Sequence, residues 1–285
     1  MRDLVADELA MPVEPRVATM AAAIAAKHGG ASKAVLFYGS CLRQKQLDGL
    51  MLDFYLIVSD YHAAYAKRWL AMANRLIPPN VFYFEQGGLA AKYAVLSEAD
   101  FARECSPDAW TVSTAARFAQ PSRLVWSADE AAANKAVDAV AKAAPTLLGW
   151  TAPVAADGPP EMLWKRAFQL TFGAELRAER DDRSSSLVDA EPGRYRRFGL
   201  AALREIGAAR SDGRWWRKMQ RRGKYYSVLR LAKASFTFAG GADYIVWKIN
   251  RHAGTDFKLK PWQQHHPLLA AISLLPRLLK SGAVR

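Results

Sequence analysis

Short apolar runs separated by helix-like stretches fill the first 128 residues, and helical periodicity alone follows them. Residues 15–27 predict a helix that ends at His28-Gly29-Gly30, because paired glycines break a helix. Residues 34–38 and 50–58 are apolar runs of strand length. Between them and the next strand, residues 61–76 predict one helix, with Trp69, Met72 and Leu76 at helical spacing and Pro78-Pro79 as its stop. Residues 81–85, aromatic and β-branched, predict a third strand; Gly87-Gly88 turns the chain into a fourth at 91–97. Helices are expected over 98–104 and 109–117, and a short strand over 121–126. From Asp129 onward the expectation is helical: 130–144, 161–179, 192–206, 223–238, 244–251 and a short apolar helix over 268–280. The Asp157-Gly-Pro-Pro160 stretch reads as a loop. An α/β front, a helical middle and a distinct tail make the expected class α+β.

Composition narrows this little, but charge changes it. A chain of 285 residues that is 51% hydrophobic and 24% charged is globular, long enough for two domains. Two cysteines, Cys41 and Cys105, supply no disulfide framework and no metal-ligand spacing. The start, Met-Arg-Asp-Leu-Val-Ala-Asp-Glu, is too acidic for a signal peptide, and no apolar run has the ~20 residues of a spanning helix. The net charge of +13 is concentrated. Residues 1–213 balance, whereas 214–285 hold 15 Lys and Arg against Asp243 and Asp256 alone. Trp215, Trp216, Tyr225, Tyr226, Tyr244, Trp247 and Trp262 are interleaved with those charges, which suits an anionic partner, lipid headgroup or nucleic acid. A solvated basic face over an ordinary helical core is the plainer reading of the same residues.

The candidate chemistry sits between Val35 and Val58. One apolar strand ends on Gly39-Ser40, and the next carries a single carboxylate, Asp53, among apolar neighbours. Glycine lets backbone approach a phosphate, serine donates a hydrogen bond, and a carboxylate is a hard oxygen ligand for magnesium. An isolated charge in an apolar run is expensive unless it has a task, which singles out Asp53. This is the arrangement by which polymerase-β-type nucleotidyltransferases hold a triphosphate, although those enzymes usually show Asp-x-Asp and position 51 here is Met.

Six blocks in order carry a closer resemblance, over roughly residues 35–200. They are Tyr38-Gly-Ser-Cys-Leu-Arg-Gln44, Met51-Leu-Asp-Phe54, Asn80-Val-Phe-Tyr-Phe84, Lys92-Tyr-Ala-Val-Leu-Ser97, Ala115-Ala-Arg117 with Gln120-Pro121, and Leu170-Thr-Phe-Gly-Ala-Glu-Leu-Arg177. Together they resemble the mitochondrial-type phosphatidate cytidylyltransferases, the CDP-diacylglycerol synthases of the translocator assembly and maintenance family. Cys41, Ala94 and Glu175 depart from that family's Gly, Gly and Asp, as in a divergent bacterial relative. The resemblance implies a polymerase-β-like nucleotidyltransferase domain over 1–128, a mainly helical, winged-helix-like domain over 129–213, and a basic amphipathic membrane-associating tail over 214–285.

It also implies the reaction of CTP with phosphatidic acid to give CDP-diacylglycerol and pyrophosphate, with Mg2+, at the cytoplasmic side of a membrane. Asp53 is then the metal ligand, with Glu85 or Asp48 as a second. Tyr38, Gly39, Ser40, Gln44, Lys92 and Arg177 would bind nucleotide, and Asp53, Lys92 and Arg117 would act in catalysis. Structural salt bridges compete for Arg117 and Arg177, and Tyr38 and Tyr93 also suit the core. The 194–197 run, Arg-Tyr-Arg-Arg, reads as a solvated helix face. A homodimer is allowed. Two other functions compete: a nucleotidyltransferase acting on RNA or a soluble acceptor, and an inactive nucleotidyltransferase-fold protein that scaffolds at a membrane.

Overall fold

A computed structural model describes residues 1–43, 47–174, 183–207 and 211–237. In chain order the elements are α1 (Arg2–Leu9), α2 (Pro15–Ala26), β1 (Ser32–Tyr38), β2 (Met51–Val58), α3 (Tyr61–Ala64), α4 (Arg68–Leu76), β3 (Asn80–Gln86), β4 (Leu89–Ser97), α5 (Glu98–Glu104), α6 (Ser113–Phe118) and β5 (Ser122–Ser127). Then come α7 (Glu130–Thr151), α8 (Pro160–Phe172), α9 (Arg183–Ala190), α10 (Pro192–Leu203) and α11 (Gly213–Thr237). The class is α+β: one five-stranded mixed sheet and many helices, with no strand after Ser127 among the described residues.

Local chemistry sets several boundaries. Pro15 occupies the first turn of α2, where a missing N–H costs nothing, and Glu14 caps it by accepting the Arg16 N–H. Ser97 caps α5 at the Asp100 N–H, and Asp129 caps α7 at the Ala132 N–H. Gly87 and Gly88 have φ of +57° and +75°, the left-handed pair that a tight two-residue hairpin between β3 and β4 requires.

The sheet order is β3-β4-β2-β1-β5. β1 pairs antiparallel with β2 and β5, β2 pairs parallel with β4, and β3 pairs antiparallel with β4. One sheet face, with Val35, Phe37, Phe54 and Val95, packs under α2 and α3. The other, with Leu36, Tyr55, Ile57 and Leu96, shares a single cluster with Phe101, Phe118, Leu147, Trp164, Phe168, Tyr195 and Trp216. The helices from α7 to α11 therefore continue the core of the sheet. No described helix is long and apolar enough to cross a membrane.

At three places where element boundaries differ from the sequence expectation, a buried group accounts for the difference. The single helix expected over 61–76 is two, because Tyr65 leaves the helical track (φ −127°, ψ 125°) to bury its ring against His28 and Phe82. The helix expected from 109 starts at Ser113, because the Glu104 carboxylate accepts the Trp110 and Thr111 N–H groups at 3.0 and 3.2 Å. α11 begins ten residues before the expected 223. Its tryptophans serve packing: Trp216 is buried and donates to the Trp150 carbonyl at 2.9 Å, and Trp215 packs at a tilt against Trp150. The solvated face expected at 194–197 is half wrong. Arg194 and Tyr195 are buried, and Arg194 forms a bidentate pair with Glu8 of α1 (Nη2 to Oε1, 2.8 Å) while Nη1 donates to the Ala119 carbonyl. The predicted segments at 244–251 and 268–280 lie outside the described residues.

Candidate functional site

Strand register brings the site together. Ser122, Tyr38, Asp53, Lys92 and Tyr83 are successive cross-strand partners over β5, β1, β2, β4 and β3, so they form one rung across the sheet. Directly opposed residues point to the same face. Lys92 Nζ lies 3.0 Å from Asp53 Oδ1, with the side chains 30% and 20% exposed. Asp53 Oδ1 is otherwise buried, so the Lys92 ammonium is the charge that faces it. The two form a partly buried ion pair on the rung.

Beside it the chain bends. Gly39 has φ +95°, and a Cβ built there would sit 3.1 Å from Asp53 Oδ2. Glycine suits this approach, since a side chain would strain the backbone at this φ and press the carboxylate to shift. Ser40 then opens a 3-10 turn, Ser40–Arg43, in which the Leu42 N–H bonds back to the Gly39 carbonyl at 3.3 Å. Buried Cys41 contacts the Met51 carbonyl through sulfur at 3.4 Å, tying the turn to the start of β2. That tie gives Cys41 a structural purpose. The serine itself is exposed next to the bend.

Aromatic rings form the inner wall. Tyr38 lies against Tyr55 and Phe118 with centroids 5.4 and 5.9 Å away, and Phe118 packs edge-on to Tyr55 and Phe101. Arg117 precedes Phe118 on α6, half-buried, with Nη1 donating to the Ser113 carbonyl at 3.1 Å. On the far side of the rung the Tyr83 hydroxyl donates to Glu85 Oε2 at 2.8 Å, and burial together with that carboxylate pushes the phenol pKa up.

Asp53, Lys92, Tyr38, Gly39 and Ser40 thus come together. The two candidates for a second carboxylate do not join them. Glu85 and Met51 both pair with Ala90, one on each side of β4. Glu85 is therefore two strands from Asp53, on the order of 10 Å across the sheet. Asp48 is exposed and held by Arg16 at 2.9 Å, and that guanidinium lowers the acid's pKa. No cluster of three or more potential ligands occurs among the described residues. Gln44 and Arg177 lie outside the described residues. Tyr93 turns away to the other face, buried and stacked on Phe82 at 5.4 Å.

Two members of the rung were not singled out in the sequence. Tyr83 carries a signal, being two residues before Glu85 and hence on its side of the strand. Ser122, fully buried with an unpartnered Oγ, carries none, because it is found only through the β1–β5 register.

A magnesium ion fits this donor set in part. Mg2+ is commonly held by one or two carboxylates, with phosphate and water oxygens filling the rest. Asp53, a partly buried carboxylate, meets the single-carboxylate case, with Lys92 as its present counter-charge. A scan of this chain against protein-family models finds no match, and a search of curated proteins finds none either.

Proposed function

We propose that this chain is a nucleotidyltransferase that joins CTP to phosphatidic acid, giving CDP-diacylglycerol and pyrophosphate. The observation that carries the reading is the closure of a positive-φ glycine onto a partly buried strand carboxylate, with a lysine on the next strand at 3.0 Å. A polymerase-β-like front and a peripheral membrane location belong to the same proposal, and the resemblance of the six sequence blocks supports both.

In this reading Gly39 and Ser40 receive the triphosphate, since the bend leaves backbone open where a side chain would block it. Asp53 would hold magnesium, which would supply positive charge against the phosphates. Lys92, on the adjacent strand 3.0 Å from Asp53, would offer its ammonium to a phosphate oxygen. A phosphate oxygen of the lipid forms a bond to the α-phosphorus, and the bond from that phosphorus to the bridging oxygen of pyrophosphate breaks. The phosphomonoester has a second pKa near ~6, so it attacks as an anion and needs no strong base. The residues beside Asp53 accord with this, as no histidine lies on the rung.

One observation favours a second reading, an inactive scaffold of the same fold: Asp53 is already paired, and neither Glu85 nor Asp48 is beside it. Incubation with labelled CTP, Mg2+ and phosphatidic acid vesicles decides between them. Labelled CDP-diacylglycerol supports the first reading. Labelled RNA or a soluble product moves the acceptor, and no product with any acceptor supports the scaffold.

A further inference from the structure

Helix α4 is built the wrong way round for a surface helix. Its two buried positions are small or polar, with Leu70 packed part-way beside them: Ala71 is buried, and Asn74 is fully buried, donating to the Val95 carbonyl at 2.9 Å and accepting the Asn80 N–H. Its outward positions are large and apolar. Trp69, Met72 and Leu76, at i, i+3 and i+7, form one stripe that is 46%, 62% and 65% exposed. Scattered exposed apolar side chains are ordinary, but an aligned stripe headed by tryptophan is a contact surface.

Its surroundings select the partner. Lys67, Arg68 and Arg75 flank the stripe, all exposed, and no acid occurs between residues 61 and 84. α11 reaches the end of α4, where Arg230 donates to the Pro78 carbonyl and Lys233 to those of Ile77 and Pro79. That helix exposes Arg214, Arg217, Lys218, Arg221 and Lys224 and contains no acidic residue. Trp110 and Tyr226, meeting edge-on, line one cleft with Leu76, in which Arg75, Arg103 and Arg230 outnumber exposed Asp108 and buried Glu104. Apolar side chains ringed by cations match an anionic lipid layer: acyl boundary for the stripe, headgroups for the ring.

We propose that the outward stripe of α4 inserts into an anionic bilayer and holds the folded body on it, independently of residues 238–285. This rests on the membrane partner of the function proposed above, not on its chemistry, so a chain without turnover would still insert. Each element has a distinct job. The cations attract the surface over a Debye length, and Trp69, Met72 and Leu76 keep hold when salt removes that attraction.

The test labels the full-length chain at Met72→Cys with a polarity-sensitive fluorophore; native Cys41 and Cys105 are buried and leave the new thiol as the reactive one. A second protein labelled at Asp157→Cys, in an exposed loop before α8, reports non-specific adsorption. With phosphatidylglycerol-containing vesicles the label at position 72 moves to the blue, the one at 157 does not, and neither responds to pure phosphatidylcholine. In flotation at about 0.5 M salt, the triple variant Trp69→Ser, Met72→Ser, Leu76→Ser partitions roughly tenfold less than the unaltered chain. A chain that floats without a shift at 72 overturns the proposal, as do equal shifts at both positions. A label already blue without vesicles also overturns it, because a second copy or the chain's own C-terminal residues then cover the stripe. Failure of CTP turnover with the shift intact leaves this inference standing and removes only the catalytic one.

Discussion

Replacing Gly39 with alanine tests the bend that faces Asp53, and a second glycine supplies its control. Both Gly39 (φ +95°) and Gly88 (φ +75°) hold backbone that L-residues avoid, at a cost of ~1–2 kcal/mol each. Alanine also shrinks the unfolded ensemble, which returns ~0.4–1 kcal/mol in both variants and cancels between them. The sites differ in what the new methyl meets. At Gly88 nothing lies within 4 Å, whereas at Gly39 the Cβ falls 3.1 Å from Asp53 Oδ2 and 3.5 Å from its Cβ. Moving that carboxylate disturbs the Lys92 pair and adds ~1–3 kcal/mol of overpacking. Urea denaturation should thus show Gly39→Ala less stable than Gly88→Ala by ~1–3 kcal/mol. In an Asp53→Ala background that excess should vanish, since the cycle isolates the contact. Equal losses in the two variants, or an excess that survives without Asp53, would refute the approach of bend to carboxylate.

Other expectations follow from buried groups. Glu8→Gln strands the buried Arg194 guanidinium, so denaturation should report a loss of ~3–5 kcal/mol; a loss below ~1 kcal/mol would mean that the pair is solvated. A Cβ at Gly223 would run into the Ala174 carbonyl, so Gly223→Ala should lower thermal stability by forcing α11 off the end of α8; an unchanged melting temperature contradicts that packing. Burial lowers the pKa of His28 below its usual 6.5, with Nδ1 facing the Ala64 carbonyl and Nε2 the Tyr93 hydroxyl. The unfolded state therefore binds the proton first as pH falls. The stability His28 contributes is full above ~6.5 and is lost as pH drops through the lower folded value. Urea midpoints should fall from pH 7.5 to pH 5 more steeply in the unaltered chain than in His28→Phe, and parallel curves would remove His28 as the cause.

Much of the front was legible because its signals are local. Gly87-Gly88 needs only its own two residues to specify a hairpin, and Ser97 with Glu98 and Asp100 announces the start of α5 wherever the chain goes next. The pairing of Asp53 with Lys92 was half legible: each residue stood out, but their contact depends on a parallel register that joins residues 39 positions apart in the chain. No local pattern carries that. Long-range burial explains the misreadings too. Arg194 looks solvent-facing until Glu8, from the other end of the chain, meets it. Trp69, Met72 and Leu76 have the spacing of a core stripe, and only the seat of Asn74 between Val95 and Asn80 turns them outward.

The central claim is that Asp53 holds the metal on which nucleotide transfer depends, and its most direct test is turnover of labelled CTP with phosphatidic acid and Mg2+ by Asp53→Asn. The amide keeps the shape of the side chain, so the fold should persist by circular dichroism while product formation falls about 100-fold or more. Turnover within about threefold of the unaltered chain, where a lost transition-state contact would cost far more, would contradict the account.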